Sequence, residues 1–121
     1  MQGPSDFIAE WNEDHHALLY RCRWSSEDAE RIVPGLIRGL SDDDRLLVDE
    51  ALRALFLIGT PAVAAATRVT ALIASPYSIT RRLAVRAVAA IGGGSEAARE
   101  LLALAENDRS KLVRTAVRNV S

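Results

Sequence analysis

The sequence has little cysteine, few aromatic residues and no long apolar run. One cysteine, Cys22, cannot form an internal disulfide, which is typical of a protein from a reducing compartment. Aromatic residues make up only 5% of the chain, and no apolar run reaches the roughly 18 residues that span a bilayer. The first residues, MQGPSDF, lack the basic and apolar regions of a signal peptide. We therefore expect one soluble, cytoplasmic domain over residues 1–121 and no membrane partner.

The charge is divided unevenly along the chain, although the net charge is only −1. Residues 1–60 hold twelve acids and six arginines, a net charge of −6, and residues 61–121 hold four acids and nine bases, a net charge of +5. In a stack of helices these halves would lie on the order of 20 Å apart. This distance exceeds the Debye length of about 8 Å, so a partner would meet an acidic end and a basic end separately.

An internal repeat organises most of the chain. The stretch LLVDEALRALFLIG at 46–59 aligns with RRLAVRAVAAIGG at 81–93 at an offset of 33, and KLVRTAVRNV at 111–120 follows at an offset of 32. Three further segments with apolar residues at helical spacing lie before and between these copies: RIVPGLIRGLSDDD at 31–44, PAVAAATRVTALIASP at 61–76 and EAARELLALAENDR at 96–109. Each unit is therefore predicted to be a helix, a turn, a second helix and a loop. Gly59 and Gly92 are predicted to be the left-handed residues after the first helices.

The residues at fixed places in this repeat resemble the short bacterial HEAT-like repeat of the phycobilisome lyase type. VPGLIRGLSDDD, RRLAVRAVAAIGG and LVRTAVRNV are similar to its pattern, and the similarity covers about residues 28–121. Tetratricopeptide and ankyrin repeats have similar periods, but their marker residues do not appear. The resemblance implies an all-α fold, a right-handed α-α solenoid of about three and a half helical hairpins.

The two ends of such a stack need covering, because each end exposes an apolar stacking face. Residues 1–25 are predicted to form an N-terminal capping helix, with the repeats in 26–121. Its apolar stripe consists of Phe7, Ile8, Trp11, His15, Leu18, Leu19 and Cys22. The stripe of the last helix either packs on the preceding unit as a cap or forms the interface of a homodimer.

Three features invite a chemical interpretation, and each is better explained as structure. His15 and His16 would point about 100° apart on a helix, and no second Glu-x-x-His segment completes a metal site. The glycines at 92–94 follow no strand and precede no suitably placed lysine, which argues against a phosphate loop. Cys22 has no histidine placed to activate it. We predict no catalytic residue, no cofactor, no metal and no enzymatic activity.

The predicted function is binding of another protein without catalysis, because stacked hairpins offer an extended and largely preformed surface. A toxin-neutralising immunity protein and an adaptor subunit of a larger complex both fit a small bacterial cytoplasmic module. The candidate contact residues lie on the second helices of the units and in a loop: Arg31, Arg38, Asp42, Asp43, Asp44, Arg68, Arg99 and Glu106.

Two alternatives remain open. In the first, Arg82 and Arg86 on one helix and Arg114 and Arg118 on the next form a basic strip that binds nucleic acid. The resemblance places these arginines on the convex side of a solenoid, and this half lacks aromatics for base stacking, so protein binding is favoured. In the second, which only the resemblance implies, the chain is a lyase or glycosylase type of enzyme subunit.

Overall fold

The computed structural model describes residues 26–92 and 96–120, and the regular structure in these ranges is entirely helical. The predicted all-α class is therefore confirmed for this part of the chain, whereas the predicted capping helix, residues 1–25, lies outside it. The α-helices are α1 Ser26–Gly39, α2 Arg45–Ile58, α3 Ala66–Ala71, α4 Ser78–Gly92, α5 Glu96–Ala105 and α6 Lys111–Val120. Two 3₁₀-helices, Thr60–Ala65 and Leu72–Ala74, flank α3.

The helices contact one another in two series. In the first series α4 contacts both α2 and α6. In the second series α1 contacts the 3₁₀-helix Thr60–Ala65, and α3 contacts α5. Each second-series element also contacts a first-series helix: α1 with α2, α3 with α4, and α5 with α6. Neighbours in sequence are thus also neighbours in space.

Aliphatic side chains fill the space between the two series. The apolar stripe of each helix predicts this burial, and the largest fully buried side chains come from both series: Leu36, Leu52, Leu55, Ile91 and Leu101. Between α2 and α4, the fully buried Ala51, Ala84 and Ala87 leave room for the two helices to approach closely. The core is therefore continuous from α1 to α6.

The first-series helices begin at a constant interval. Their first residues are Arg45, Ser78 and Lys111, which are 33 positions apart in both steps. The same interval separates their first backbone hydrogen bonds between residues four apart, in which the amides of Val48, Arg81 and Arg114 donate to the carbonyls of Asp44, Tyr77 and Ser110. The third copy therefore stands at an offset of 33, and the predicted offset of 32 is wrong by one residue.

The loop before each of these helices repeats one local hydrogen bond. A side-chain oxygen accepts from the backbone amide two residues later, a turn that Asp and Ser form readily. The three bonds are Asp44 N to Asp42 Oδ1 at 2.8 Å, Tyr77 N to Ser75 Oγ at 3.2 Å and Ser110 N to Asp108 Oδ1 at 2.8 Å. Since the acceptors 42, 75 and 108 are also 33 apart, the loops share one register.

The second helix of the middle unit differs from the prediction. Residues 61–76 do not form one helix, because only Ala66–Ala71 is α-helical and both flanks are 3₁₀. Ala62 has non-helical dihedrals, and Thr70 Oγ1 donates to the carbonyl of Ala66 at 2.8 Å. The element is therefore a short α-helix between two 3₁₀ turns rather than one regular helix.

The two glycines that are predicted to end helices behave differently. Gly59 has φ +74°, a conformation that L side chains rarely adopt, and its amide donates to the carbonyl of Leu55 at 3.0 Å. Gly59 thus has the predicted positive φ, but its ψ of −139° lies outside the left-handed helical region. Gly92 is the last residue of α4 and has no positive φ, so the prediction for Gly92 is wrong.

Candidate protein-binding groove

A groove of about 770 Å³ lies across the first series of helices. One residue of α2, two of α4 and six of α6 line it: Phe56, Arg82, Arg86, Lys111, Leu112, Thr115, Ala116, Asn119 and Val120. Its described lining holds three cationic side chains and no carboxylate. We call it the cationic groove, because these charges make its potential positive.

Helix α6 supplies two parallel rows of side chains to the cationic groove. Residues four apart lie on the same face of a helix, so Lys111, Thr115 and Asn119 form a polar row of potential hydrogen-bond donors. Leu112, Ala116 and Val120 form an apolar row beside it, of which Leu112 is 44% exposed. The groove therefore combines an apolar strip with donors of hydrogen bonds.

Helix α4 supplies the opposite side, and one of its arginines is held in place by α2. The Arg86 guanidinium carbon lies 4.5 Å from the centre of the Phe56 ring, a cation–π contact that orients the charge. Arg82 lies one helical turn earlier and is half-buried. Within residues 26–92 and 96–120, neither Arg82 nor Lys111 forms an ion pair. Arg86 forms no ion pair there either, so none of the three cations has an anionic partner in the described part of the protein.

The four arginines of the predicted basic strip do not lie together. Arg82 and Arg86 line the cationic groove, whereas Arg114 and Arg118 line a separate depression of about 570 Å³ with Glu106 and Val117. The constant interval of 33 explains the separation, because Arg114 is the equivalent of Arg81 rather than of Arg82. Arg114 repeats the role of Arg81 and donates from Nη1 to the carbonyl of Asp108 at 2.6 Å.

The predicted protein-contact residues are spread over several elements. Arg31 and Arg38 are exposed on α1, Arg68 on α3 and Arg99 on α5. Glu106 is exposed just after α5 and shares a depression with Arg114 rather than with these arginines. The structure gathers none of these five residues into the cationic groove.

The three aspartates of the predicted contact loop shape the start of α2. Asp44 is the N-cap and accepts from the amide of Leu46 at 2.9 Å, and Asp42 accepts from the amide of Asp44. Asp43 is exposed. Two of these carboxylates therefore stabilise the loop and the first turn of α2.

A buried polar network joins the loops of neighbouring units. Arg81, only 4% exposed, donates from Nε and Nη2 to the two carboxylate oxygens of Asp108 at 2.9 and 3.1 Å, and from Nη1 to the carbonyl of Ser75 at 2.8 Å. Burial alone would raise the pKa of Asp108. The hydrogen bonds from Arg81 and from the Ser110 amide outweigh it and lower that pKa from its usual value near 3.8. From the sequence alone no role was predicted for Arg81, although its neighbour Arg82 was predicted to belong to the basic strip.

A second buried contact joins α2 and α4. The Thr80 hydroxyl donates to Asp49 Oδ1 at 2.6 Å, and both residues are buried. Arg45 Nη1 lies 4.0 Å from the other carboxylate oxygen of Asp49. The Arg45 guanidinium carbon also lies 4.7 Å from the centre of the Tyr77 ring. These contacts stabilise the packing of α2 on α4, and none of them reaches the cationic groove.

The chain matches no protein-family model, and comparisons with curated proteins and with solved structures gave no significant match either. The HEAT-like resemblance consequently depends on the residues of this sequence alone. No helix within 26–92 and 96–120 has both the length and the apolarity to cross a membrane. The same ranges contain no group of three metal-ligating side chains, and His15, His16 and Cys22 lie outside them.

Proposed function

We propose that this chain is a non-catalytic protein-binding module of the bacterial cytoplasm, built as a HEAT-like solenoid. The constant interval of 33 between Arg45, Ser78 and Lys111 supports the repeat, because each unit then contributes an equivalent helix to one contact series. A preformed surface of packed helices binds a partner at a small cost in conformational entropy.

The cationic groove is the single observation that carries this proposal. In this groove the exposed apolar side chain of Leu112 lies beside the cations Arg82 and Lys111. Neither cation has an ion-pair partner among the described residues. Protein interfaces combine apolar contacts with oriented polar groups in this way, and arginine is enriched in them. The described lining offers no carboxylate that could act as a general acid or base, so the groove gives the enzyme alternative no support.

Nucleic acid fits the same groove less well. Three cations would neutralise about three phosphates, which gives a salt slope of roughly −3 and weak, sequence-independent binding. One face of Phe56 is covered by Arg86, which leaves less of the ring for stacking on a base. The separation of Arg114 and Arg118 from the groove further reduces the number of phosphate contacts.

The experiment uses the fact that Lys111 is the only lysine of the chain and lies in the cationic groove. We expect an amine-directed cross-linker, applied to native cells, to join Lys111 to one partner protein. The purified partner should then form a stoichiometric complex with a dissociation constant of about 10⁻⁶ M or tighter. If no complex forms, and a short DNA duplex binds instead with a steep salt dependence, the protein-binding proposal is wrong.

The identity of the partner separates the two biological roles. A partner that is toxic when expressed alone and harmless when co-expressed with this chain makes the protein an immunity protein. A partner that belongs to a larger assembly makes it an adaptor subunit. Size-exclusion chromatography of the chain alone tests the homodimer alternative, since a monomer at micromolar concentration excludes a stable dimer through α6.

A further inference from the structure

The positive charge of the cationic groove restricts the kind of ligand that it can bind. Arg82 is half-buried, Lys111 is exposed, and neither has an ion-pair partner among the described residues. A ligand that covered these cations without offering an anion would leave them desolvated and unpaired, which is costly. The ligand must therefore carry negative charge on the side that faces α4.

The spacing of the donors restricts the ligand further. Arg82 and Arg86 are four residues apart on α4, so their backbone positions are separated by a rise of about 6 Å. Lys111, Thr115 and Asn119 repeat this spacing on α6. Carboxylates one helical turn apart, at positions i and i+4 of a helix, have the same separation.

The backbone amides and carbonyls of the ligand must also find hydrogen-bond partners when the ligand lies in the groove. The walls are α-helices, whose amides and carbonyls are already paired along their length, and the strip formed by Leu112, Ala116 and Val120 is apolar. An extended strand would leave its own amides and carbonyls without partners against that strip. A helix satisfies its backbone internally and presents only side chains, as in helix-in-groove recognition.

We propose that the ligand of the cationic groove is an acidic amphipathic helix of the partner protein. Its carboxylates at i and i+4 pair with Arg82 and Arg86, and its apolar side packs on Phe56, Leu112 and Val120. The inference rests on the proposed protein-binding function and names the segment that the partner must contribute. A phosphate backbone has no apolar side to cover the same strip, so the proposal favours a protein segment over nucleic acid.

The test is a selection from a displayed library of helical peptides of about 14 residues, which is four turns, on the immobilised full chain. We expect the enriched sequences to carry Asp or Glu at i and i+4 beside an apolar stripe. The best peptide should lose about tenfold or more in affinity for each of the variants Arg82→Gln and Arg86→Gln. Replacing its two acids by their amides should cause a similar loss.

Matched controls come from the exposed arginines of the second contact series. Arg68→Gln on α3 and Arg99→Gln on α5 make the same chemical change outside the groove, at two contact residues predicted from the sequence, and therefore test that rival surface. If the groove is the binding site, these two changes should alter peptide affinity by less than about twofold. Circular dichroism melting checks that all four variants remain folded. The affinity of the partner protein recovered by cross-linking is measured with the same four variants.

The outcomes are distinct. Enriched peptides without acids, or no peptide that binds more tightly than about 10⁻⁴ M, overturn the inference. If the partner binds but responds only to Arg68→Gln or Arg99→Gln, the groove assignment is wrong while the protein-binding function stands. If a short duplex binds through Arg82 and Arg86 and no peptide does, the class of ligand is nucleic acid.

Discussion

Replacing Asp108 by asparagine is expected to weaken the fold more than any comparable change at the surface. The Asp108 side chain is 10% exposed and the Arg81 side chain 5%, and two hydrogen bonds join them. Asparagine removes the negative charge and turns one acceptor into a donor that faces the Arg81 guanidinium. The guanidinium then keeps the carbonyl of Ser75 and one neutral acceptor at the Oδ1 position, and it loses its charged partner and the bond from Nε.

The size of the effect follows from this geometry. A hydrogen bond to a charged group contributes about 1.5–3 kcal/mol, and breaking a buried ion pair costs about 3–5 kcal/mol. The asparagine oxygen can still accept from the Ser110 amide, so we expect the lower end, a loss of about 3 kcal/mol in the free energy of unfolding. For a chain of this length the melting temperature should fall by about 10 °C.

Urea unfolding followed by far-UV circular dichroism measures the effect, with Asp43→Asn as the matched control. Asp43 is an exposed loop aspartate, and its replacement should change the free energy of unfolding by less than about 0.5 kcal/mol. A double-mutant cycle with Arg81→Met isolates the pair, for which we expect a coupling of about 2 kcal/mol. A cost below about 1 kcal/mol for Asp108→Asn would refute the stabilising role of the network.

The pH dependence of the same variant provides an independent check. Because the pKa of Asp108 is lower in the folded state, its contribution is present above the unfolded pKa and is lost as the pH falls through the folded pKa. The difference in stability between the native chain and Asp108→Asn should therefore be constant near neutral pH. It should shrink in acid, below about pH 4. A difference that grew on acidification would contradict the assigned direction.

Three further changes test other parts of the structure. Thr80→Val leaves buried Asp49 without its 2.6 Å donor and should cost about 1.5–3 kcal/mol in urea unfolding, and a cost near zero would contradict this contact. Gly59→Ala places a side chain at φ +74° and should cost about 1–3 kcal/mol, whereas Thr60→Ala next to it should cost under about 0.5 kcal/mol. Hydrogen exchange should be faster in residues 60–74 than in α2 and α4, because short 3₁₀ turns have poorer hydrogen-bond geometry; equal protection would refute this.

Much of the fold was predictable because the apolar pattern is local information. Helical spacing around Ala51 and Leu55, repeated around Ala84 and Val88, predicts helices of similar length and similar buried faces. Burial alone could not fix the register of the third copy, since offsets of 32 and 33 both place buried residues over buried residues. The loop hydrogen bonds of Ser75 and Asp108 decide it, and they depend on a turn geometry that a hydropathy pattern does not contain.

The candidate site was only partly predictable, because its residues come from three helices that are far apart in sequence. The spacing of Arg82 and Arg86 identified one side of the cationic groove. Their association with Phe56 and Lys111 requires knowing how α2 and α6 pack on α4. Arg81 shows the converse. Its neighbour Arg82 has the same chemistry, and only the rotation of the helix buries Arg81 while leaving Arg82 half-buried at the groove.

The contrast between these two adjacent arginines shows how one helix can present the same chemistry to the interior and to the cationic groove. The apolar faces of similar units are nearly interchangeable, so apolar packing alone would allow neighbouring units to pair in a shifted register. The buried polar contacts differ from junction to junction: Thr80 with Asp49 at the first, and Arg81 with Asp108 at the second. Each is satisfied only when the correct loop or helix lies opposite, and a shift would leave a buried charge unpaired. The order of the units is thereby specified by groups that face inward, which leaves the arginines of the cationic groove available for a partner.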